Sequence, residues 1–263
     1  MSFSIILVNY NTKELIKDCL NSIFSNCDKG DFEIIVVDNN SSDGSVKALE
    51  IEFGDKIKLI NNKTNNGFGL ANNQGEKIAQ GKYLFFLNSD TIIKENILKP
   101  LKDVLGKDNN IGIISPGLVL EDGQAQERVF GDFPGLASVI LEKFKKPLKA
   151  GNELFAVDWV SGAAMIIRKD IFNKIGGFDE KFFMYFEDVD LCKRVKDLGY
   201  KICFYPKISV THLCGRSLKK SLTRKKYYYR SQDYFYKKHC GLFKAHLMRI
   251  IRFPYKLINF LNK

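Results

Sequence analysis

The carboxylate of Asp90 stands where an apolar, strand-like run ends. The stretch YLFFLNSD (83–90) leads from apolar residues straight into Asn88, Ser89 and Asp90. A charged group beside buried residues costs free energy unless a cation meets it, and a divalent cation that also holds phosphates suits that place. Aspartate serves equally well in an Asx-turn or a helix cap, and the tripeptide alone favours this structural role.

A second acidic group, Glu187, Asp188 and Asp190, follows the aromatic-rich run FFMYF (182–186). Carboxylates beside bulky apolar side chains hold protons more tightly, so their pKa rises toward the range that a general base or acid needs. Acids in the first turn of a helix are also favoured by the helix dipole. The pattern alone leaves both roles open.

Three further side chains have the types that ligand binding uses. Asp38 ends the apolar run EIIVVD (33–38), where an acid often binds a ribose hydroxyl or a base N–H, although the DNNSSDG around it is also typical of a turn. His212 and the only tryptophan, Trp159, are by themselves more typical of structural residues. The chain has neither GxGxxG nor a P-loop motif, so it offers no dinucleotide or Walker signature.

The apolar pattern predicts the elements that would position these residues. Predicted strands cover 3–10, 33–38, 56–60, 82–89 and 200–205, and predicted helices cover 13–25 behind a Thr12 cap, a segment ending near Phe53 behind Ser41-Ser42-Asp43, 70–80, 97–105 and 187–198. Near-continuous apolar strands separated by helices indicate a parallel sheet covered on both faces. Ligands bind at the carboxyl ends of such strands, where the clusters 9–11, 38–40 and 88–90 all fall, so we expect them to form one site.

Composition indicates one ordinary globular domain with an appendage. The chain has 263 residues, of which 45% are apolar and 27% charged. Its six cysteines lack CxxC spacing, and no signal peptide or 18-residue apolar segment is present, so we expect reduced thiols in a cytosolic protein.

The positive charge is concentrated at the C-terminus. Residues 216–263 carry 14 Lys or Arg and one acid, a net of +13, whereas the first 215 residues carry a net of −2. Apolar residues of this tail recur at helical spacing, with a break or kink expected at Pro254, which fits a basic helix lying on an anionic membrane surface. A helix packed on the domain and a patch for single-stranded nucleic acid are the alternatives.

Six stretches, in their order and spacing over about 215 residues, resemble the family 2 glycosyltransferases, and within them the branch that contains bacterial rhamnosyltransferases. They are IILVNYN (5–11), VVDNNSSDGS (36–45), NNGFGLANNQG (65–75), YLFFLNSD (83–90), the block 159–200 and VTHLCGRS (210–217). The block ending in FEDVDLCKR is the most specific. The resemblance implies a GT-A fold, a Rossmann-like α/β fold with a mostly parallel sheet, for a catalytic domain of residues 1–215.

The resemblance also implies a role for individual residues. On the nucleotide side, Tyr10 would stack on the base, Asp38 would bind its N3–H, Ser89 would face the ribose, and Asn66 and Asn73 would line the pocket. Asp90 and His212 would bind a divalent cation, Mn²⁺ or Mg²⁺. Asp188 would act as the catalytic base, with Glu187 orienting the acceptor. Trp159 would lie at the acceptor face. One departure from the family is Asn88, which stands where the DxD motif has its first acid.

The implied activity is an inverting, metal-dependent transfer of a sugar from a nucleoside diphosphate to a glycan or lipid-linked hydroxyl in surface polysaccharide synthesis. The branch favours L-rhamnose from dTDP-rhamnose; UDP-hexose, UDP-N-acetylhexosamine and UDP-galactofuranose are alternative donors. A non-catalytic nucleotide-sugar-binding or RNA-binding module is the alternative of another class, although no nucleic acid is expected. With the basic tail 216–263, the enzyme would lie at the inner face of the cell membrane.

Overall fold

The structure, a computed structural model, describes residues 1–135, 151–213 and 222–261, with side-chain environments up to residue 252. The strands are β1 (Phe3–Asn9), β2 (Phe32–Asp38), β3 (Lys58–Asn61), β4 (Tyr83–Asn88), β5 (Thr91–Ile92), β6 (Ile111–Val119), β7 (Phe130–Gly131), β8 (Phe155–Val157), β9 (Trp159–Val160), β10 (Ala164–Arg168) and β11 (Lys201–His212). The helices are α1 (Lys13–Asn26), α2 (Ser45–Glu52), α3 (Phe68–Ile78), α4 (Leu98–Lys107), α5 (Lys169–Lys174), α6 (Glu187–Asp197) and α7 (Leu222–Leu261).

The main sheet has the strand order β3-β2-β1-β4-β10-β6-β11-β5, with β8 also paired to β11. Strands β3, β2, β1 and β4 are mutually parallel, and β6 is parallel to β11. Strand β10 runs antiparallel between β4 and β6. The predicted α/β class with a mostly parallel sheet is therefore confirmed, with β10 antiparallel at its centre and β5 and β8 antiparallel beside β11.

Strand β1 shows why the sheet forms the core. Its residues from Phe3 to Leu7 are all fully buried. Because successive side chains of a strand point to opposite faces, burial of all of them means that both faces are covered, as the continuous apolar run predicts. The sheet thereby fixes the strand ends that carry the polar clusters.

Helix α1 begins at Lys13 as predicted, but the side chain of Thr12, the residue before it, binds other partners than the helix. The Thr12 hydroxyl donates to Asn9 Oδ1 at 2.6 Å and lies 3.0 Å from Ser89 Oγ. The Lys13 N–H is bound by Asp43 Oδ2 at 2.9 Å. Thr12 thus occupies the predicted N-cap position, but its hydroxyl makes no capping bond because neighbouring strand ends offer it closer partners than the helix does.

Helix α7 is broken at Gly241, which has φ 84° and ψ 166°. We name residues 222–240 the proximal arm and residues 242–261 the distal arm. Ala245 and Met248 of the distal arm are buried against Tyr236 of the proximal arm. A break at Pro254 is not present, because the helix continues through that position. The break occurs at Gly241, where a glycine adopts positive φ without steric cost.

The expected boundary between a domain of residues 1–215 and a tail of residues 216–263 falls outside the described residues. Among the residues that the structure describes, no helix combines the length and the apolar character needed to cross a bilayer.

Candidate active site

The carboxyl ends of β1 and β2 meet at a buried carboxylate. Asn9 and Asp38 are opposite each other in the pairing, and Asn9 Nδ2 donates to Asp38 Oδ2 at 2.6 Å. The Ser41 N–H donates to Asp38 Oδ1 at 2.8 Å, which holds the loop after β2. Tyr10, next to Asn9, is 41% exposed, so its ring lies at the surface beside this edge.

The remaining nucleotide-side candidates lie in three environments. Ser89 is buried at the end of β4 and contacts the Thr12 hydroxyl. Asn66 accepts a hydrogen bond from Thr64 Oγ1 at 2.9 Å in the loop before α3. Asn73 donates to the Phe178 carbonyl and accepts from the Phe178 N–H, both at 2.9 Å. Asn73 is thus engaged with the loop around residue 178, and nucleotide roles for these residues stay predictions.

Asp90 lies in the two-residue turn between β4 and β5, so it begins no helix and the helix-cap interpretation is wrong. Strand β5 pairs with the end of β11, where Thr91 stands opposite His212. This pairing brings His212 Nε2 to 3.1 Å from Asp90 Oδ1, although 122 residues separate them in sequence. Asp90 is 2% exposed, and His212 Nδ1 lies 2.9 Å from Gln126 Oε1.

The chemistry of this pair fits a divalent cation shared with substrate. His212 presents Nε2 to the Asp90 carboxylate and Nδ1 to Gln126 Oε1, so both ring nitrogens face oxygen atoms, and the tautomer decides which nitrogen donates. A carboxylate and an imidazole are ligands that Mn²⁺ accepts. Within residues 1–135, 151–213 and 222–261, no group of three or more His, Cys, Asp or Glu could hold a metal ion. The residues therefore fit an ion whose other ligands are phosphates and water.

The second acidic group begins α6 after an unusual turn. Tyr185 and Phe186 both have positive φ, 69° and 68°, although neither is glycine. Asp188 Oδ2 accepts the Gly162 N–H at 3.0 Å, and Oδ1 accepts the Val189 N–H at 2.8 Å. These contacts fix the carboxylate at the start of α6.

Burial changes the proton affinity of both carboxylates. Burial, and then the charge of Asp188, raise the pKa of Glu187 well above its usual value. Burial also raises the pKa of Asp188, against the two N–H contacts that favour its charged form. Glu187 is 7% exposed, and its Oε2 atom has no hydrogen-bond partner among the described residues. The predicted effect of the aromatic run on these acids is thus present.

One short segment joins the two acidic groups. The Gly162 N–H binds Asp188, and the Ala163 carbonyl accepts the Asn88 N–H at 2.9 Å. A side chain at Gly162 would meet Asp188 and Phe68, each 3.4 Å from its Cβ position. The carboxylate of Asp188 is therefore separated from the strand end that carries Asp90 by two residues of backbone.

Trp159 lies on β9 near this segment. Its Nε1 donates to the Asp132 carbonyl at 3.0 Å, and its ring is partly buried against two apolar clusters. An acceptor role for Trp159 stays a prediction.

Sequence reasoning missed several residues that shape the site. Asn9 stood in the recognised cluster 9–11 and Thr12 was predicted as a helix cap, but their bonds to Asp38 and Ser89 depend on strand pairing. Gln126 lies in a loop without a motif. Its contact with His212 had no signal in the sequence.

Comparison with known proteins identifies the family. Residues 4–176 match the model of Glycosyl transferase family 2, and residues 151–214 match that of the N-terminal domain of galactosyltransferase. The chain is a family 2 glycosyltransferase. The resemblance seen in the motifs is thus confirmed.

Relatives of this family 2 glycosyltransferase include rhamnosyltransferases. The Escherichia coli K12 rhamnosyltransferase WbbL is 28% identical over 79% of this chain and 82% of its own length. The Mycobacterium tuberculosis N-acetylglucosaminyl-diphospho-decaprenol L-rhamnosyltransferase is 24% identical over 68% of this chain and 66% of its own. The Haloferax volcanii hexosyltransferase Agl10 is 30% identical over 73% of this chain, which spans 61% of that protein.

Solved structures confirm the GT-A fold. GalNAc-T7 with UDP, GalNAc and Mn²⁺ superposes with a TM-score of 0.66 at 19% identity, over 90% of this chain and 50% of that one. The Pyrobaculum calidifontis mannosyltransferase with GDP-Man and Mn²⁺ gives 0.64 at 16% identity, over 94% and 64%. At these identities the likeness shows the fold alone.

Proposed function

We propose that this family 2 glycosyltransferase moves a sugar from a nucleoside diphosphate to an acceptor hydroxyl, with inversion at the anomeric carbon. The proposed donor is dTDP-L-rhamnose, because two of its relatives are named rhamnosyltransferases. The proposed acceptor is a glycan or a lipid-linked sugar of surface polysaccharide synthesis. The observation that carries the proposal is the Gly162–Ala163 segment, which contacts Asp188 on one side and the strand end before Asp90 on the other.

The donor side is the edge formed by β1, β2 and β4. Tyr10 stacks on the base and Asp38 accepts the base N–H with a lone pair that its bonds to Asn9 and Ser41 leave over. Ser89 faces the ribose, and Asn66 and Asn73 border the pocket. The strand-end position typical of ligand sites in α/β sheets supports these assignments.

Asp90 and His212 would hold a divalent cation, Mn²⁺ or Mg²⁺, together with the diphosphate. When bound, this ion supplies positive charge that stabilises the departing nucleoside diphosphate. Gln126 keeps the His212 ring oriented through Nδ1. Two relatives in fold contain Mn²⁺ in their solved structures, which supports this choice of metal.

Asp188 removes the proton from the attacking hydroxyl. The acceptor oxygen forms a bond to the anomeric carbon, the bond from that carbon to the phosphate oxygen breaks, and the proton passes to Asp188. Its raised pKa supports this role, because a base is most effective when its pKa lies closer to the working pH. Glu187 and Trp159 contact the acceptor on the same side.

A screen of nucleotide sugars for thermal stabilisation tests the donor. A ligand at 100 times its Kd adds about 2.7 kcal/mol to the stability of the folded state. We expect dTDP-rhamnose with Mn²⁺ to stabilise most and to be hydrolysed slowly without acceptor. Stronger stabilisation by a UDP-sugar would show that the donor is that UDP-sugar and not dTDP-rhamnose. Stabilisation without any Mn²⁺-dependent hydrolysis or transfer would support a non-catalytic binding module.

We further infer that the distal arm places the enzyme on the anionic inner face of the cell membrane. Leu242 and Phe243 at its start are 70% and 82% exposed, and Ile250 is 58% exposed. Lys244 and Arg249 lie on the same arm and are exposed. Burial of each apolar side chain in lipid contributes about 1.5–3 kcal/mol, and each basic residue near an anionic surface about 1 kcal/mol.

Vesicle sedimentation tests the membrane proposal. We expect binding to vesicles that contain phosphatidylglycerol, weak binding to phosphatidylcholine alone, and loss of binding in the double variant Leu242→Ser/Phe243→Ser. Ile51→Ser is the matched control, since Ile51 is 72% exposed on α2. Equal binding of the double variant and the wild-type chain would contradict the proposal.

A further inference from the structure

The turn that leads into the two carboxylates of α6 is held in a rare backbone conformation. Tyr185 and Phe186 are consecutive, bulky and left-handed, with φ of 69° and 68°. For large L-residues this region is sterically unfavourable, and such residues persist where surrounding contacts determine their conformation. The next two residues are Glu187 and Asp188, so the contacts around the turn also set where these carboxylates lie.

Polar contacts to this turn come from the proximal arm. Ser231 Oγ donates to the Met184 carbonyl at 2.7 Å, and Ser231 is buried. Arg224 Nε donates to the Tyr185 hydroxyl at 2.9 Å. Both bonds join residues that are about 40 or more positions apart in sequence. The arm therefore fixes both the backbone before the turn and a side chain within it.

Aromatic side chains of the proximal arm also contact this turn. The ring of Phe186 lies 5.4 Å from that of Tyr228 and 5.5 Å from that of Phe235, measured between centroids. The ring of Tyr185 lies 5.7 Å from that of Tyr228. Each residue from 184 to 186 is thus contacted by the arm.

The arm also holds α6 just beyond the two carboxylates. Asp190 is fully buried, and its Oδ1 atom lies 2.7 Å from both His239 Nε2 and Lys238 Nζ. Burial alone would raise the pKa of Asp190, but the contacts with His239, Arg194 and Lys238 hold it below its usual value. Lys238 Nζ lies equally close to Asp179. Contacts before and after Glu187 and Asp188 therefore come from one helix.

We propose that the proximal arm is a positioning element of the active site, in which Ser231 and Lys238 keep the left-handed turn and α6 in place and so orient the Asp188 carboxylate. The inference rests on the proposed role of Asp188 as base. It assigns to the first half of the basic tail a function inside the catalytic site that is separate from membrane binding by the distal arm.

Two single substitutions in the full-length chain test this inference. Ser231→Ala removes the bond to the Met184 carbonyl, and Lys238→Met removes the cation shared by Asp179 and Asp190. Lys237→Met is the matched control, because Lys237 is the exposed neighbour on the same helix. We expect each test variant to lower kcat about fivefold, the factor of one net hydrogen bond, with the KM for the donor unchanged.

Hydrogen exchange of the peptide 184–190, followed by mass spectrometry, provides the readout besides activity. Faster exchange in Ser231→Ala and Lys238→Met than in Lys237→Met would support the inference. Unchanged exchange would overturn it, as would a kcat equal to that of the control, or a loss of donor affinity and Tm in proportion to the loss of kcat. A wild-type chain that transfers no sugar would refute the proposed function, whereas the exchange data would still decide whether the arm holds the turn.

Discussion

Replacement of the proposed base by its amide, Asp188→Asn, separates catalysis from folding. Each carboxylate oxygen of Asp188 accepts one backbone N–H, from Gly162 at 3.0 Å and from Val189 at 2.8 Å. An asparagine has one oxygen to offer, so one N–H faces an NH₂ group, at a cost of about 1–3 kcal/mol. The neutral amide also removes the cost of a buried charge, which is the cause of the raised pKa. These effects oppose each other, and we expect the unfolding free energy to change by no more than about 2 kcal/mol.

The effect on turnover is larger. A positioned general base contributes about 10²–10⁴-fold, which is roughly 2.7–5.5 kcal/mol of activation free energy. The described hydrogen bonds of Asp188 go to the backbone N–H groups of Gly162 and Val189, and none of them goes to Asp38 or Tyr10. We therefore expect kcat to fall by about 10²–10⁴ while the Kd of the donor stays close to the wild-type value.

The assay combines the release of nucleoside diphosphate, donor titration by calorimetry and thermal unfolding on the same preparation. Asp197→Asn in the last turn of α6 is the matched control, since it removes an acid of the same helix whose partner is Lys193. A kcat within tenfold of wild type would remove Asp188 from the base role. Loss of donor affinity in step with kcat would assign it to folding of the site instead.

Three further predictions concern other substitutions. Asp90→Asn should weaken Mn²⁺ binding in the presence of nucleoside diphosphate by more than the roughly 10–100-fold typical of an outer-shell partner, and an unchanged Mn²⁺ titration by electron paramagnetic resonance would remove it from the metal site. Burial and the charge of Asp188 raise the pKa of Glu187 in the folded protein, so the folded carboxyl holds its proton more tightly than the unfolded chain does. Glu187→Gln should therefore become more stable relative to wild type as the pH rises above 4.5. Parallel curves of Tm against pH for the two proteins would contradict this. Gly67→Ala should lower the unfolding free energy by about 3 kcal/mol, because its φ is 83° and the new Cβ would clash with the Phe183 carbonyl oxygen. Gly123→Ala is the control: it has the same φ but open space around the new Cβ, and it should cost about 1 kcal/mol. Equal losses in urea unfolding would show that the contact with Phe183 is not rigid.

The order of elements and the edge that carries the donor-side residues could be predicted from the sequence. Continuous apolar runs and helical periodicity are local properties, and they placed β1, β2, β4 and α6 within a few residues of their observed bounds. Parallel pairing then follows from the alternation of strands and helices, and it places Asn9, Asp38 and Asn88 on one edge. Thr12 occupies the predicted N-cap position, but its hydroxyl binds partners that only strand pairing supplies.

The closure of the site was decided by tertiary structure. The insertion of β10 beside β4 brings Gly162 to Asp188, and the pairing of β5 with β11 brings His212 to Asp90. Neither pairing has a local signal, since antiparallel strands far apart in sequence are matched by packing rather than by spacing.

The basic tail shows most clearly that composition does not determine which residues contact each other. Composition established that residues 216–263 are strongly basic and that their apolar residues recur at helical spacing. A cationic side chain pairs as well with a buried aspartate as with a lipid phosphate, so charge alone does not choose a partner. Only the fold brings Asp179 and Asp190 to Lys238, and thereby draws the first half of the tail onto the turn before Asp188 while Leu242 and Phe243 stay exposed.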